Sequence, residues 1–198
     1  MNNKDTKETN VLAQASILMV AGIITRIIGV LYRSPLTSVI GDEGNGYYGI
    51  AVNIYTMILL VSSYSIPMAV SKVVSSKLAV HQYRNAHKVF KCALMYVLVV
   101  GGIASLITFF GASILIPSNQ PKAIPVLRIL APTIFFSGFL GVFRGYFQAH
   151  GTMVPTSLSQ IIEQVANAVI SIGAALLFIH IFAGGDADKV PVFGAMGS

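Results

Sequence analysis

Five stretches of this chain stay apolar long enough for an α-helix to cross the roughly 30 Å hydrocarbon core of a bilayer, which takes about 20 residues. They run over about 11–32, 47–70, 89–116, 124–143 and 156–182, and a sixth begins near 190 and is cut off at 198. Backbone amides in hydrocarbon have no water to bond, so a spanning segment must satisfy them internally, as a helix does. The sequence therefore predicts an all-α integral membrane protein: a polytopic helical bundle with about five complete transmembrane helices and the start of another. Residues 1–10 are expected to form a short N-terminal tail, and 11–198 the transmembrane domain. The first apolar segment contains Arg26, is long, and has no small-residue cleavage site after it, so it reads as a span and not as a removable signal.

Composition narrows the function. Only 10% of the residues are charged and 55% are hydrophobic, with a mean hydropathy of +0.75. Soluble domains carry about 25% charged residues. An ordinary soluble globule and a disordered chain are excluded. The net charge of +6 is too scattered for a nucleic-acid-binding face, so no nucleic-acid partner is expected. One cysteine, Cys92, excludes an internal disulfide and a cysteine-built metal site. No metal constellation and no nucleophile–base pair stands out, so no catalytic residue, metal or cofactor is expected, and the chain is not read as an enzyme.

The charges that remain report topology. Lys72, Lys77, Arg84, Lys88 and Lys91 occupy one stretch without an acid. The excess of Lys and Arg on cytoplasmic loops places that stretch, and hence the N-terminus, in the cytoplasm. The stretches holding Asp42 with Glu43, and Asp186 with Asp188 and Lys189, then face outward. The run Gly41–Gly46 is expected to be an outer loop or a moving gate.

Polar side chains inside the spans are the functional candidates, because a charge there is costly unless it faces protein or a water-filled cavity. Gly22, Arg26, Gly29 and Arg33 fall on one stripe of the first span at 100° per residue. Glycines allow close approach, and guanidinium forks suit phosphate. The stripe reads as a cavity wall meeting an anionic head group, or as Arg26 paired with an internal carboxylate and Arg33 reaching the outer interface. In the fifth span Gln160, Glu163, Gln164, Asn167 and Ser171 share a face. This stripe is suited to hydrogen-bonding a sugar, or to bridging helices. Glu163 is the acid within a span, a partner for Arg26 or Arg144 or a site responsive to protons or cations. Pro67 ends or kinks the second span, and broken helices accompany gates in transporters.

One block carries a resemblance. Phe143-Arg144-Gly145-Tyr146-Phe147-Gln148, then His150-Gly151, Pro155-Thr156 and Ser159-Gln160-Ile161-Ile162-Glu163-Gln164, resembles the polysaccharide biosynthesis and export family, the group of stage V sporulation protein B and the MurJ-type lipid II flippases. Thr25-Arg26-Ile27-Ile28-Gly29 and Ser65-Ile66-Pro67-Met68-Ala69-Val70-Ser71-Lys72 agree with it. The resemblance implies a two-lobed multidrug/oligosaccharidyl-lipid/polysaccharide exporter fold around a central cavity. It also implies movement of a lipid-linked saccharide or cell-wall precursor across the bacterial cytoplasmic membrane by alternating access. First-span arginines that meet pyrophosphate carry over to Arg26 and Arg33, and an acid of the first outer loop to Asp42. Asp42, Pro67 and Arg144 are expected to have gating or structural roles. The implied partners are the lipid-linked saccharide, membrane lipid and a missing C-terminal lobe, because five spans and part of a sixth are less than one lobe. A cation-coupled multidrug antiporter of the same superfamily, and an intramembrane enzyme acting on polyprenyl-linked sugars, are the alternatives.

Overall fold

The computed structural model describes residues 3–63, 65–183 and 190–197, with the backbone alone for 3–12, 182 and 183. Asp186, Asp188 and Lys189, expected in an outward-facing loop, lie outside the described residues. Six α-helices follow one another: α1 (Asn3–Ser62), α2 (Ile66–Ala79), α3 (Tyr83–Leu115), α4 (Ile124–Ala149), α5 (Val154–Phe178) and α6 (Val190–Gly197). A 3-10 turn over Pro121–Ala123 leads into α4, and a π-helical segment over Ile179–Ala183 extends α5. Among the described residues there is no strand. The chain is an all-α polytopic membrane bundle. Its outer surface is apolar: Val30 is 72% exposed, Phe110 73% and Ile114 89%, as lipid-facing side chains should be.

Four helical stretches are long and apolar enough to cross a membrane: Ala13–Ala79, Tyr83–Leu115, Pro121–Ala149 and Val154–Ile181. The first contains 67 residues. A straight helix of that length would reach about 100 Å, three times the hydrocarbon thickness. It is folded instead at Gly41, whose φ of 74° and ψ of 172° leave helical geometry at a single residue. Glycine occupies that region without a Cβ clash. The side chains of Tyr32 and Tyr48 lie close to each other. A straight helix would hold them about 24 Å apart. α1 is therefore a hairpin of two arms that contains almost no loop.

This corrects three expectations. The segment 33–46 is helical on both sides of Gly41 and is not an open loop, because one positive-φ glycine suffices to turn the chain. Pro67 follows the break in the span expected over 47–70 and does not sit inside a continuous helix: α1 stops at Ser62, and Pro67 stands in the first turn of α2. There its missing N–H forfeits no helical bond. The basic stretch 72–91 is a pair of helix ends joined by a turn of Val80, His81 and Gln82.

The helices pack in two groups. In one, Leu36 and Ile40 of the first arm of α1 bury against Ala175 of α5. In the other, α2, α3 and α4 share a core of Ile66, Val70, Val74, Ala86, Val97 and Val142. Tyr47 and Ala51 of the second arm join Ala112, Leu127 and Ala195, which brings α6 in as a cap. Close packing runs along α4. A Cβ on Gly145 would lie 2.5 Å from the carbonyl oxygen of Pro67, and one on Gly138 would lie 2.7 Å from Cγ1 of Val97. These glycines let α2 and α3 sit directly on the α4 backbone.

Gly145→Ala should therefore cost about 1–3 kcal/mol by overpacking, seen as a lower thermal midpoint in detergent. Gly22→Ala, with nothing within 4 Å of the added Cβ, should leave the midpoint where it is. Equal midpoints for the two variants would contradict the packing described.

Candidate functional site

Arg144 lies near the C-terminal end of α4, and Ser159 and Glu163 lie one turn apart on α5. The turn between the two helices is short, Gly151 adopts a φ of 75° within it, and the polar faces of α4 and α5 are thereby turned toward each other. Arg144 donates from Nε to Oγ of Ser159 at 3.0 Å and from Nη2 to Oε2 of Glu163 at 2.5 Å. The arginine side chain is 18% exposed and the carboxylate 53%. The guanidinium is thus enclosed, while its counter-ion reaches water.

Above this pair lies a cavity of about 300 Å³. Its walls come from Leu59 and Ser63 at the end of α1, Pro67 of α2, Ser137, Gly141, Arg144 and Gln148 of α4, and Thr156, Gln160 and Glu163 of α5. A smaller space of about 170 Å³ adjoins it, lined by Thr25, Arg144, Gln160, Glu163 and Gln164. The break between α1 and α2 faces the larger cavity, and the buried hydroxyls of Ser62 and Ser63 lie 3.2 Å apart there. Thr156 is 1% exposed, and its hydroxyl has no hydrogen-bond partner among the described residues. An unpaired buried hydroxyl costs free energy until something fills its place.

The structure sorts the expected site residues. Gln160, Glu163 and Gln164 come together with Arg144 around the two spaces, and Pro67 stands in a wall. Asn167 is committed elsewhere: its Nδ2 donates to the Tyr32 hydroxyl at 3.3 Å, and its Oδ1 accepts from Ser171 at 3.1 Å. It ties α5 to the first arm of α1, as does Gln14, whose Oε1 accepts from the Met153 amide at 2.8 Å. Arg26 and Arg33 line neither space. Both are exposed on α1, and among the described residues neither has an ion-pair partner. Glu163 therefore belongs to Arg144 and not to Arg26. Asp42 is exposed directly after the Gly41 fold. Its neighbour Glu43 makes the contacts there: it accepts from the Tyr47 hydroxyl and pairs with Lys122 at 3.4 Å, which also stands 5.8 Å from the centre of the Tyr47 ring.

Sequence reasoning did not single out Ser159, Thr156, Ser63 or Glu43 with Lys122. Ser159 had a signal, being one helical turn before Glu163 and close in sequence to Arg144. Glu43 and Lys122 are separated by 79 positions, and nothing local connects them.

A family profile described as polysaccharide biosynthesis protein matches residues 11–186. The chain belongs to the polysaccharide biosynthesis protein family. Among its relatives in Bacillus subtilis (strain 168), lipid II flippase MurJ is 27% identical over 179 residues, covering 85% of this chain and 33% of the relative. Stage V sporulation protein B is 28% identical over 169 residues, covering 82% of this chain and 32% of the relative. Uncharacterized membrane protein YabM is 24% identical over 166 residues, covering 83% and 30%. The chain spans about a third of the length of the curated relatives it matches. No solved structure matches it. The family match covers both arms of α1 and all of α2 to α5, so it includes every residue of the Arg144 cavity.

A double-mutant thermal cycle should couple Arg144 and Glu163 by about 0.2–1 kcal/mol, the range for a pair that is half in water. The same cycle on Arg26 and Glu163 should give no coupling. Coupling of Glu163 to Arg26 in place of Arg144 would reverse the pairing described here.

Proposed function

We propose that the intact protein flips a lipid-linked oligosaccharide or a lipid II-like cell-wall precursor across the cytoplasmic membrane by alternating access. This chain supplies the first part of one lobe, and a second lobe completes the cavity. The observation that carries the reading is a cavity walled by both apolar and polar side chains, built around Arg144 in a bundle whose outer face is apolar, in a chain of the polysaccharide biosynthesis protein family. A saccharide head group needs such hydrogen-bonding walls, while its lipid tail needs the bilayer outside.

In this reading the N-terminus and the basic ends of α2 and α3 lie in the cytoplasm, held there by Lys72, Lys77, Arg84, Lys88 and Lys91. The cavity at Arg144 then belongs to the cytoplasmic half, and the Glu43–Lys122 pair to the outer end. Gln160 and Gln164 hydrogen-bond the sugar as the head group passes along α5. Arg26 and Arg33, exposed on α1, meet the phosphate groups from the side that the second lobe closes. Glu163 argues against a cation antiporter: it is the acid that such a carrier would use, and it is already neutralised by Arg144.

Arg26→Ala in the intact protein should slow flipping of a lipid-linked saccharide in proteoliposomes by about tenfold or more, the worth of a charge-assisted phosphate contact. It should leave the thermal midpoint unchanged, because the side chain is exposed. Unaltered flipping would remove Arg26 from the substrate path. Outward movement of an anion gains about 2.3 kcal/mol per charge per 100 mV of inside-negative potential. An imposed potential of that sign should therefore accelerate export, and collapsing it should slow export without added nucleotide.

A further inference from the structure

We propose that Arg144 is an exchange site for a diphosphate-class anion, which takes the place of Glu163 on the guanidinium. The inference rests on the exporter reading and deepens it: it assigns a second anion contact, deep in the cavity, beyond the arginines of α1.

Three observations converge on it. Arg144 is held asymmetrically. Nε is fixed to Ser159 at 3.0 Å, while Nη2 bonds Glu163. The arginine is 18% exposed and the glutamate 53%. The less exposed partner is thus anchored by a neutral hydroxyl, and its carboxylate partner can turn into water without moving a helix. An incoming anion with two or three oxygens replaces one carboxylate on a fork that is already oriented, and the anchoring bond to Ser159 survives the exchange.

The wall beside the fork also holds a buried hydroxyl. The hydroxyl of Thr156 has no hydrogen-bond partner among the described residues, although the residue is 1% exposed and stands in the same wall as Arg144. Thr156 lies in the first turn of α5, where amide N–H groups and the helix dipole favour negative charge. Gln148 and Gln160 add amide donors to that wall. A space of about 300 Å³ accommodates a diphosphate and part of a sugar.

The third point is charge balance. With Glu163 in place the fork is neutralised, so the partly enclosed guanidinium has a counter-ion. Glu163 thus sets a threshold: only a ligand that binds Arg144 better than a half-exposed carboxylate enters. A neutral sugar lacks the charge to do so, and a monocarboxylate gains little over Glu163 itself.

The test measures binding to the intact protein in nanodiscs, with inorganic pyrophosphate and with a short-chain prenyl diphosphate as separate probes. Removing the competing carboxylate with Glu163→Gln should lower the Kd for both by about threefold, the worth of a half-exposed ion pair. Arg144→Gln should raise it by about tenfold or more. Arg144→Lys, which cannot hold Ser159 and an anion in one plane, should fall between them. Thermal midpoints establish that each variant is folded, and Ser159→Ala supplies a milder disturbance of the same fork. A Glu163→Gln protein that is folded and binds diphosphate no better, or worse, than wild type overturns the exchange. If Arg144→Gln binds as wild type does while Arg26→Ala abolishes flipping, the exchange site falls and the exporter reading stands. If pyrophosphate shows the expected pattern but the prenyl diphosphate does not bind, the anion site stands and its use for a lipid-linked substrate falls.

Discussion

Hydrocarbon offers no hydrogen bonds, and the backbone of this chain is arranged so that it rarely needs any from outside. At Gly41 only one residue leaves the helix, and the chain reverses with both flanks still bonded internally. The second interruption, between Ser62 and Ile66, is longer and would be costly against lipid. Ser63 there lines the cavity, and Ser62 and Ser63 are both buried. Irregular backbone at membrane depth is tolerated where it is enclosed by protein or borders a cavity. The same solvent rule explains the side chains. The guanidinium of Arg144 is enclosed and doubly bonded, whereas the outward faces of α1, α3 and α5 are aliphatic and aromatic.

α4 is the element on which the other helices depend. Its small residues do not attract by themselves; they remove volume, so that dispersion contacts with α2 and α3 form at backbone distance. Gly141 and Gly145 against Pro67 fix where α2 begins, and so fix the wall of the cavity opposite α5. α5 is tied elsewhere, to the first arm of α1 through Leu36, Ile40 and Ala175 and through the Asn167–Tyr32 hydrogen bond. α4 and α5 thus belong to different packing groups. Arg144 joins them by an ion pair and a hydroxyl contact near the turn that connects them, and the cavity is the space left where the two groups do not meet.

An ion pair stands near each end of the described bundle. Arg144 and Glu163 link α4 to α5 beside the cavity. Lys122 and Glu43 link the turn before α4 to α1 just past the Gly41 fold, next to a space of about 300 Å³ lined by Glu43, Gly46, Tyr47, Ile50 and Gln120. Both pairs keep a carboxylate more than half exposed, so each holds weakly and opens at small cost.

Periodicity alone determined the fold class, because length, apolarity and the absence of internal water leave a helix as the one self-satisfying element. It also determined that Gln160, Glu163, Gln164, Asn167 and Ser171 share a face, since 100° per residue is a local rule. The family likeness was legible in the motifs of residues 143–164, not in periodicity. Tertiary packing decided the rest. Glu163 chose Arg144 over Arg26, since the short turn at Gly151 sets α4 against α5 while Arg26 stays on the outer side of α1. Asn167, on the same stripe, was drawn to Tyr32 and away from the cavity. The expected loop at 41–46 became a one-residue fold, and Pro67 a helix start, because φ at Gly41 and the end of α1 at Ser62 follow from what the two arms pack against. A pairing across 19 or 79 positions has no signature in a local pattern; it exists only once the helices have found their neighbours.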